Sequence, residues 1–375
     1  MAIDLEIQNR LKPYEKEIEY CSYCPKLCRF ACPVANITCS EASTPTGKMT
    51  ILKLVKDGVL ELNQEIAQLL YQCSGCILSR TYCEHQIEVI GAFEAGRALA
   101  VERGLAPARV MEFASRWQKQ GNPYGKDLAS TLKQISNGRH LENKKILFFS
   151  GCTMTHYFPE TIKDILKVLE IISGEFQIFA EEKICCGYPL YTTGHWKVFK
   201  EHRSWLAEKL GGYDLILSPC PTCVWFLKSQ YQEQGLIEAG AIKHITELVS
   251  ENFTQLSLKG KIKERVLYHD PCHLGRYLGV YQAPRRILEQ ITEDGYLEFY
   301  ENQEQANCCG GGGGLGLSHP EIARGIARAR VQEALELKAE TLVSACPMCE
   351  RMFSRAGKEA GIKVKDLCEL VAELI

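Results

Sequence analysis

Eighteen of the chain's nineteen cysteines fall into four patterned groups. Two groups write the same five-cysteine pattern twice: Cys152, Cys185-Cys186-Gly187 and Cys220-Pro221-Thr222-Cys223, then Cys272, Cys308-Cys309-Gly310 and Cys346-Pro347-Met348-Cys349. The internal intervals are 32 and 33 residues in the first copy and 35 and 36 in the second. The other two groups lie nearer the N-terminus: Cys21, Cys24, Cys28 and Cys32-Pro33 followed by Cys39, and Cys73, Cys76 and Cys83. Thiolates at such spacing hold soft metals or iron–sulfur clusters. A structural zinc takes four ligands, often as two Cys-x-x-Cys pairs. Each repeat offers five thiols, more than zinc or a cubane cluster needs. A fifth ligand makes sense if one sulfur bridges or if the cluster is not a cubane.

The glycines fit the same chemistry. Gly187 and the run Gly310, Gly311, Gly312, Gly313 and Gly314 lack a Cβ, so backbone can approach closely and donate N–H to sulfur. A phosphate loop is the rival for the run, but no Gly-Lys-Ser/Thr follows it. Helices starting just after the cysteine loops would aim their positive ends at an anionic cluster. His156, His195, His273 and His319 lie near cysteine loops and read as hydrogen-bonding structural histidines. Arg276, Arg285 and Arg286 read as solvated helix charges, and Trp196, Trp225 and Tyr281 as core.

Composition narrows the setting. The 375 residues are 46% hydrophobic and 24% charged, ordinary for globular domains and enough for two or three of them. A net charge of −2 gives no basic field for nucleic acid. Met1 to Tyr20 is polar and has no export signature, and no apolar run approaches a membrane span. Many cysteines without an export signal favour reduced thiols, hence metal ligation over disulfides. A cytoplasmic location is expected, with contact to the inner membrane only through partners.

These groups need elements to carry them. Met49, Ile51, Leu52, Leu54 and Val55 recur with helical spacing, as do Ile66, Leu69 and Leu70, and Ile87 to Val101 reads as a helix. The first hundred or so residues are thus a small helical domain built around metal. Residues 106–143 read as a helix and connector with turn signals at Gly121-Asn122-Pro123 and Asn137-Gly138. From Lys145 the pattern becomes strand, cysteine loop, helix, which is α/β organisation. Ile146 to Phe149 leads into Cys152 as Val266 to His269 leads into Cys272, 120 residues later. Leu215 to Ser218 precedes Cys220, and Thr341 to Ser344 precedes Cys346. Ile242–Val249 and Val364–Val371 read as matching closing helices, offset by 122. This is a duplicated domain. The nineteenth cysteine, Cys368, aligns with Thr246 and reads as core.

The repeated Cys…Cys-Cys-Gly…Cys-x-x-Cys motif resembles the cysteine-rich CCG domain of heterodisulfide reductases, and the N-terminal block resembles the α-helical ferredoxin domain. Their fusion is similar to the heterodisulfide reductase D subunit. It is also similar to the iron–sulfur subunits of glycolate and lactate oxidation systems and to the D subunit of ATP-independent benzoyl-CoA reductase complexes. The resemblance covers about residues 20–375, and all ten repeat cysteines are present, which leans towards the heterodisulfide reductase type. It implies an α-helical ferredoxin domain (1–105), a helical connector (106–143) and a CCG domain pair (144–255 and 256–375) with pseudo-twofold symmetry. It further implies two non-cubane [4Fe–4S] clusters, one on Cys152, Cys185, Cys186, Cys220 and Cys223, the other on Cys272, Cys308, Cys309, Cys346 and Cys349.

The N-terminal block departs from the two-cluster ferredoxin pattern. One extra residue separates Cys24 from Cys28, Ser79 stands where a cysteine is expected, and Glu84 stands for a proline. In that pattern the fourth cysteine of each run ligates the other cluster. One [4Fe–4S] cluster is then expected on Cys21, Cys24, Cys28 and Cys83. The second is expected on Cys32, Cys73 and Cys76, with Cys39 as the substitute fourth ligand or a three-iron cluster in its absence.

The function expected is an electron-transfer subunit of an anaerobic oxidoreductase complex. With no dinucleotide fingerprint in the chain, it needs a redox partner that is flavin-bearing, metal-containing or quinone-linked. The alternatives are the catalytic disulfide reductase itself, the iron–sulfur subunit of a glycolate or lactate dehydrogenase, and a zinc-stapled scaffold.

Overall fold

The computed structural model describes residues 4–136, 145–238 and 240–375. The Asn137-Gly138 turn signal and the residue 144 boundary lie outside them. No helix among the described residues is long and apolar enough to cross a membrane. Compactness divides the chain into two units: residues 1–115 with 189–199 and 307–329, and residues 116–188 with 200–306 and 330–375.

The first unit is helical. Thr44 caps the Pro45–Lys56 helix by accepting from Gly47 N–H, with Pro45 in its first turn, a favoured arrangement at a helix start. Met49, Leu52 and Val55 form its buried face. Asn63 caps Gln64–Leu70 in the same way. Both helices pack on Ile90–Glu102, which is buried along nearly its whole length. That helix can be central because it is small: a Cβ on Gly91 would stand 2.4 Å from the Tyr14 ring, and one on Gly96 2.7 Å from Leu70 Cδ1. The unit is completed by two segments from the cysteine-rich repeats. Tyr71 donates to the Thr193 carbonyl at 2.9 Å, and Arg97 reaches the carbonyls of Thr192 and Gly313.

The second unit holds two four-stranded parallel sheets of identical order. The first comprises β1 (Ile146–Phe148), β2 (Gln177–Ile178), β3 (Leu215–Ser218) and β4 (Ala241–His244), ordered β2-β1-β3-β4. The second comprises β5 (Val266–His269), β6 (Leu297–Glu298), β7 (Thr341–Ser344) and β8 (Lys363–Asp366), ordered β6-β5-β7-β8. Leu147 pairs with Gln177 and Ile216 as Leu267 pairs with Leu297 and Leu342. β5 and β7 are buried throughout, which is why these strands read as continuous apolar runs. Cys152, Cys220, Cys272 and Cys346 each follow the carboxyl end of a central strand, where open α/β sheets place their ligands.

The repeats pack reciprocally. The Pro159–Ile172 helix meets Leu367–Ala372, and Gln282–Ile291 meets Ile245–Glu251. Likewise Cys152–Tyr157 meets Pro347–Ala360, and the π-helical turn His273–Tyr277 meets Pro221–Leu227.

One expectation is corrected. The segments read as closing helices begin as strands: Ile242 and Val364 lie in β4 and β8, and helix starts only at Ile245 and Leu367. The break is a cap. His244 Nδ1 accepts from Thr246 N–H, and Asp366 Oδ1 accepts from Cys368 N–H at 2.8 Å.

Candidate functional site

In the first repeat five thiols converge. Gly151 (φ 75°) turns the chain out of β1 so that Cys152 opens a short helix. A Cβ on Gly151 would lie 3.0 Å from Cys223 Sγ, so the left-handed glycine is also a close-approach glycine. Cys220 precedes Pro221 at the start of the Pro221–Leu227 helix, and Cys223 is on its first turn. The sulfurs of Cys152 and Cys185 are 3.3 Å apart. Side-chain contacts continue from Cys185 to Cys186, from Cys186 to Cys223 and from Cys223 to Cys220. All five are buried, and none is in a disulfide. Burial, and then its cysteine neighbours, pushes the Cys185 thiol well up. The backbone of the Cys-Cys pair is held by the ring of His202 on Cys185 O (2.8 Å) and by Tyr231 Oη donating to Cys186 O (2.7 Å). Five buried thiols linked in one contact chain exceed the four ligands of a single tetrahedral ion, and they fit a multinuclear thiolate-bound centre.

The second repeat shows the same local builds. Cys346 precedes Pro347 at a helix start, and Cys349 is on the first turn. Cys272 Sγ lies 3.3 Å from His273 Nδ1, and the His273 ring stacks on Tyr277 with centroids 4.3 Å apart. Cys308 and Cys309 belong to the segment 307–329 of the first unit. There the Gly310 N–H donates to Cys308 Sγ at 3.3 Å, the N–H-to-sulfur contact expected of a glycine at this position. Gly310 (φ 85°) and Gly187 (φ 93°) are both left-handed.

The glycine run has a further use that the sequence did not disclose. A Cβ on Gly312 would stand 2.4 Å from Ser74 O, and one on Gly313 2.4 Å from Cys73 O. These glycines are where two cysteine-bearing backbones touch.

In the N-terminal block the thiols act on one another, Cys32 reaching Cys28 as well as Cys73 and Cys76. Burial, and then the charges of Cys28, Cys24 and Cys83, pushes Cys21 up to about 12, against a weak hydrogen bond to Thr46. Burial, then Cys83 and Cys24, pushes Cys28 up to about 11. Cys83 Sγ accepts from Ile87 N–H at 3.5 Å. Cys32 is raised by burial and by Cys73 and Cys76, with the Lys48 charge opposing. Cys39 is different: exposed, left-handed (φ 50°), its thiol on Asn36 O at 3.7 Å.

Several side chains around these sets escaped the sequence reading. Arg285 is no solvated helix charge; it is buried against Asp270, two residues before Cys272. Arg276 is likewise turned inward, donating to the carbonyls of Glu304 and Ala306. Lys48 and Arg97 are buried beside Cys32 and Cys73. A lone arginine inside Ala95-Gly96-Arg97-Ala98-Leu99-Ala100 was the available signal for the last. His195 is structural as expected, with Nδ1 on the Thr193 hydroxyl at 3.0 Å.

Paired parallel sheets with cysteine loops at their carboxyl ends define a duplicated cysteine-rich redox module. The cysteine-rich domain of the CCG family matches residues 146–228 and again 266–354. The chain is 31% identical to the D subunit of the dihydromethanophenazine:CoB–CoM heterodisulfide reductase of Methanosarcina barkeri over 325 residues, 83% of this chain and 79% of that protein. It is 28% identical to the B subunit of the CoM/CoB fumarate reductase of Methanothermobacter marburgensis over 377 aligned residues, 96% of this chain and 74% of that one. It is 27% identical to lactate utilization protein A of Oceanobacillus iheyensis over 240 residues, 60% of this chain and 96% of the relative. The chain belongs to the family of iron–sulfur oxidoreductase subunits typified by the heterodisulfide reductase D subunit.

Proposed function

We propose that the chain is the electron-transfer subunit of a cytoplasmic oxidoreductase complex of the heterodisulfide reductase type, and that it holds four clusters. The observation that carries the reading is the contact chain of five buried thiols in the first repeat. The bound clusters supply one-electron storage. Cys152, Cys185, Cys186, Cys220 and Cys223 hold one non-cubane centre. Cys272, Cys308, Cys309, Cys346 and Cys349 hold its counterpart in a domain related by a pseudo-twofold axis, for which the reciprocal helix packing is the support. The N-terminal helical region is an α-helical ferredoxin domain. Its thiols Cys21, Cys24, Cys28 and Cys83 hold one [4Fe–4S] cluster, and Cys32, Cys73 and Cys76 hold the other. Cys39 is proposed as the fourth ligand of the latter on the sequence alone, since its thiol stands in solvent. Partner subunits carry the flavin, metal or quinone site.

The names of two relatives contain CoM and CoB, and one is that of a heterodisulfide reductase, which favours a second reading in which the paired repeats themselves reduce a disulfide. Both readings meet one experiment. The anaerobically purified chain is titrated with reductant and then offered a small disulfide. Uptake of about four electrons per chain supports the relay, and thiol release from the disulfide without partner subunits supports catalysis. No uptake at all refutes both.

A further inference from the structure

Two cations of the first unit are buried among backbone carbonyls. Lys48 is 1% exposed. Its ammonium donates to the carbonyls of Ser43 at 2.8 Å and Gln72 at 2.5 Å, and lies 5.3 Å from the Phe93 ring centre. Arg97 is also 1% exposed. Its Nε donates to Leu70 O (3.0 Å), Nη1 to Thr192 O (2.8 Å) and Gly313 O (2.9 Å), and Nη2 to Cys73 O (3.2 Å). Its guanidinium also lies over the Tyr71 ring. Backbone carbonyls and aromatic rings are what surround both charges. Buried charges are normally paired, because desolvation is otherwise uncompensated.

The carbonyl dipoles at the end of Gln64–Leu70 supply part of the compensation, as cations at helix C-termini do. The rest points to the thiols. Cys32 Sγ lies 3.9 Å from Ser43 O, the carbonyl that Lys48 also holds. Arg97 grips the backbone of Cys73 itself.

We propose that Lys48 and Arg97 are positioning residues for the centre on Cys32, Cys73 and Cys76, supplying its counter-charge and raising its reduction potential above that of the centre on Cys21, Cys24, Cys28 and Cys83. The assignment rests on the cluster reading above. One-electron reduction, with the electron drawn from the upstream redox partner, adds one negative charge to the bound centre, and two fixed cations favour that form. Electrons then settle on the centre whose Cys73 backbone touches Gly313.

The test uses the full chain, purified without oxygen, as Lys48→Met and Arg97→Lys. Iron and sulfide are counted, and midpoint potentials are read by spin resonance during a redox titration. Lys48→Met should keep its iron and lower the second centre's potential by about 60 mV or more, a tenfold change for a one-electron couple. The first centre should not move, and Arg97→Lys, which keeps the charge, should stay near the parent. Full iron with unmoved potentials in Lys48→Met overturns the proposal. If Lys48→Met loses iron from the second centre, Lys48→Arg must restore both iron and potential; failure to do so also overturns it. A parent chain devoid of iron and sulfide instead overturns the cluster reading, and this assignment with it.

Discussion

Replacing Arg285 by Met should destabilise the second repeat severely. Its guanidinium meets Asp270 through two parallel contacts, Nη1 to Oδ1 at 2.8 Å and Nη2 to Oδ2 at 2.7 Å, with side-chain exposures of 5% and 3%. Glu298 in β6 takes two more bonds, at 2.9 and 2.7 Å, and the Tyr281 carbonyl a fifth. Asp270 also accepts from Gln303 N–H at 2.9 Å, so the pair ties the Cys272 loop to the segment preceding Cys308. Met keeps the stem's volume but leaves a buried carboxylate unpaired, which costs about 3–5 kcal/mol. In a domain of this size that lowers the unfolding midpoint by roughly 6–20 °C. Adding Asp270→Asn removes the orphaned charge, and the double variant should recover about 0.5–3 kcal/mol relative to additivity. Calorimetry on the anaerobically purified proteins reads the midpoints. A single variant melting within about 2 °C of the parent, far below that scale, would refute the argument that this pair holds the loop.

Other outcomes follow from single residues. If Cys39 ligates, Cys39→Ser should convert the second N-terminal cluster to a three-iron form, a loss of about one iron per chain; spectra identical to the parent's would make Cys39 a bystander. Cys368, buried on the helix capped by Asp366, should be dispensable: Cys368→Ala should keep full iron and cost about 1 kcal/mol or less, and loss of a cluster would break the equivalence with Thr246. Burial pushes His195 down to about 4 from an ordinary 6.5, so below that ordinary value the unfolded chain takes up a proton that the folded one refuses. Stability is therefore lost as pH falls from 6.5 towards 4, by up to about 1.4 kcal/mol per pH unit. His195→Asn should flatten that acid limb in melts at several pH values, and an unchanged limb would count against the burial argument.

The repeat of the cysteine-rich domain was legible because cysteine spacing is a local signal written twice. The two matching strand orders and the shared Pro-containing starts at Cys220 and Cys346 bear out the duplication. β4 and β8 were misread because Ile-Lys-His-Ile and Val-Lys-Asp-Leu suit helix and strand alike, and only the cap at His244 or Asp366 decides where helix begins. The two-residue strands β2 and β6 carry too little periodicity to announce themselves. Arg285 was misplaced because charge type alone argues for solvent, and its partners Asp270 and Glu298 are 15 and 13 residues away. The contacts of Gly312 and Gly313 with Ser74 and Cys73 span more than two hundred residues of sequence. A glycine run states that something approaches closely without naming what.

Iron–sulfur clusters, and not zinc staples, are what these cysteines are proposed to hold. Iron, acid-labile sulfide and zinc counted per chain on anaerobically purified protein test that proposal most directly. About 16 iron and about 16 sulfide are expected, from four clusters of about four iron each. Stoichiometric zinc with little sulfide would contradict it.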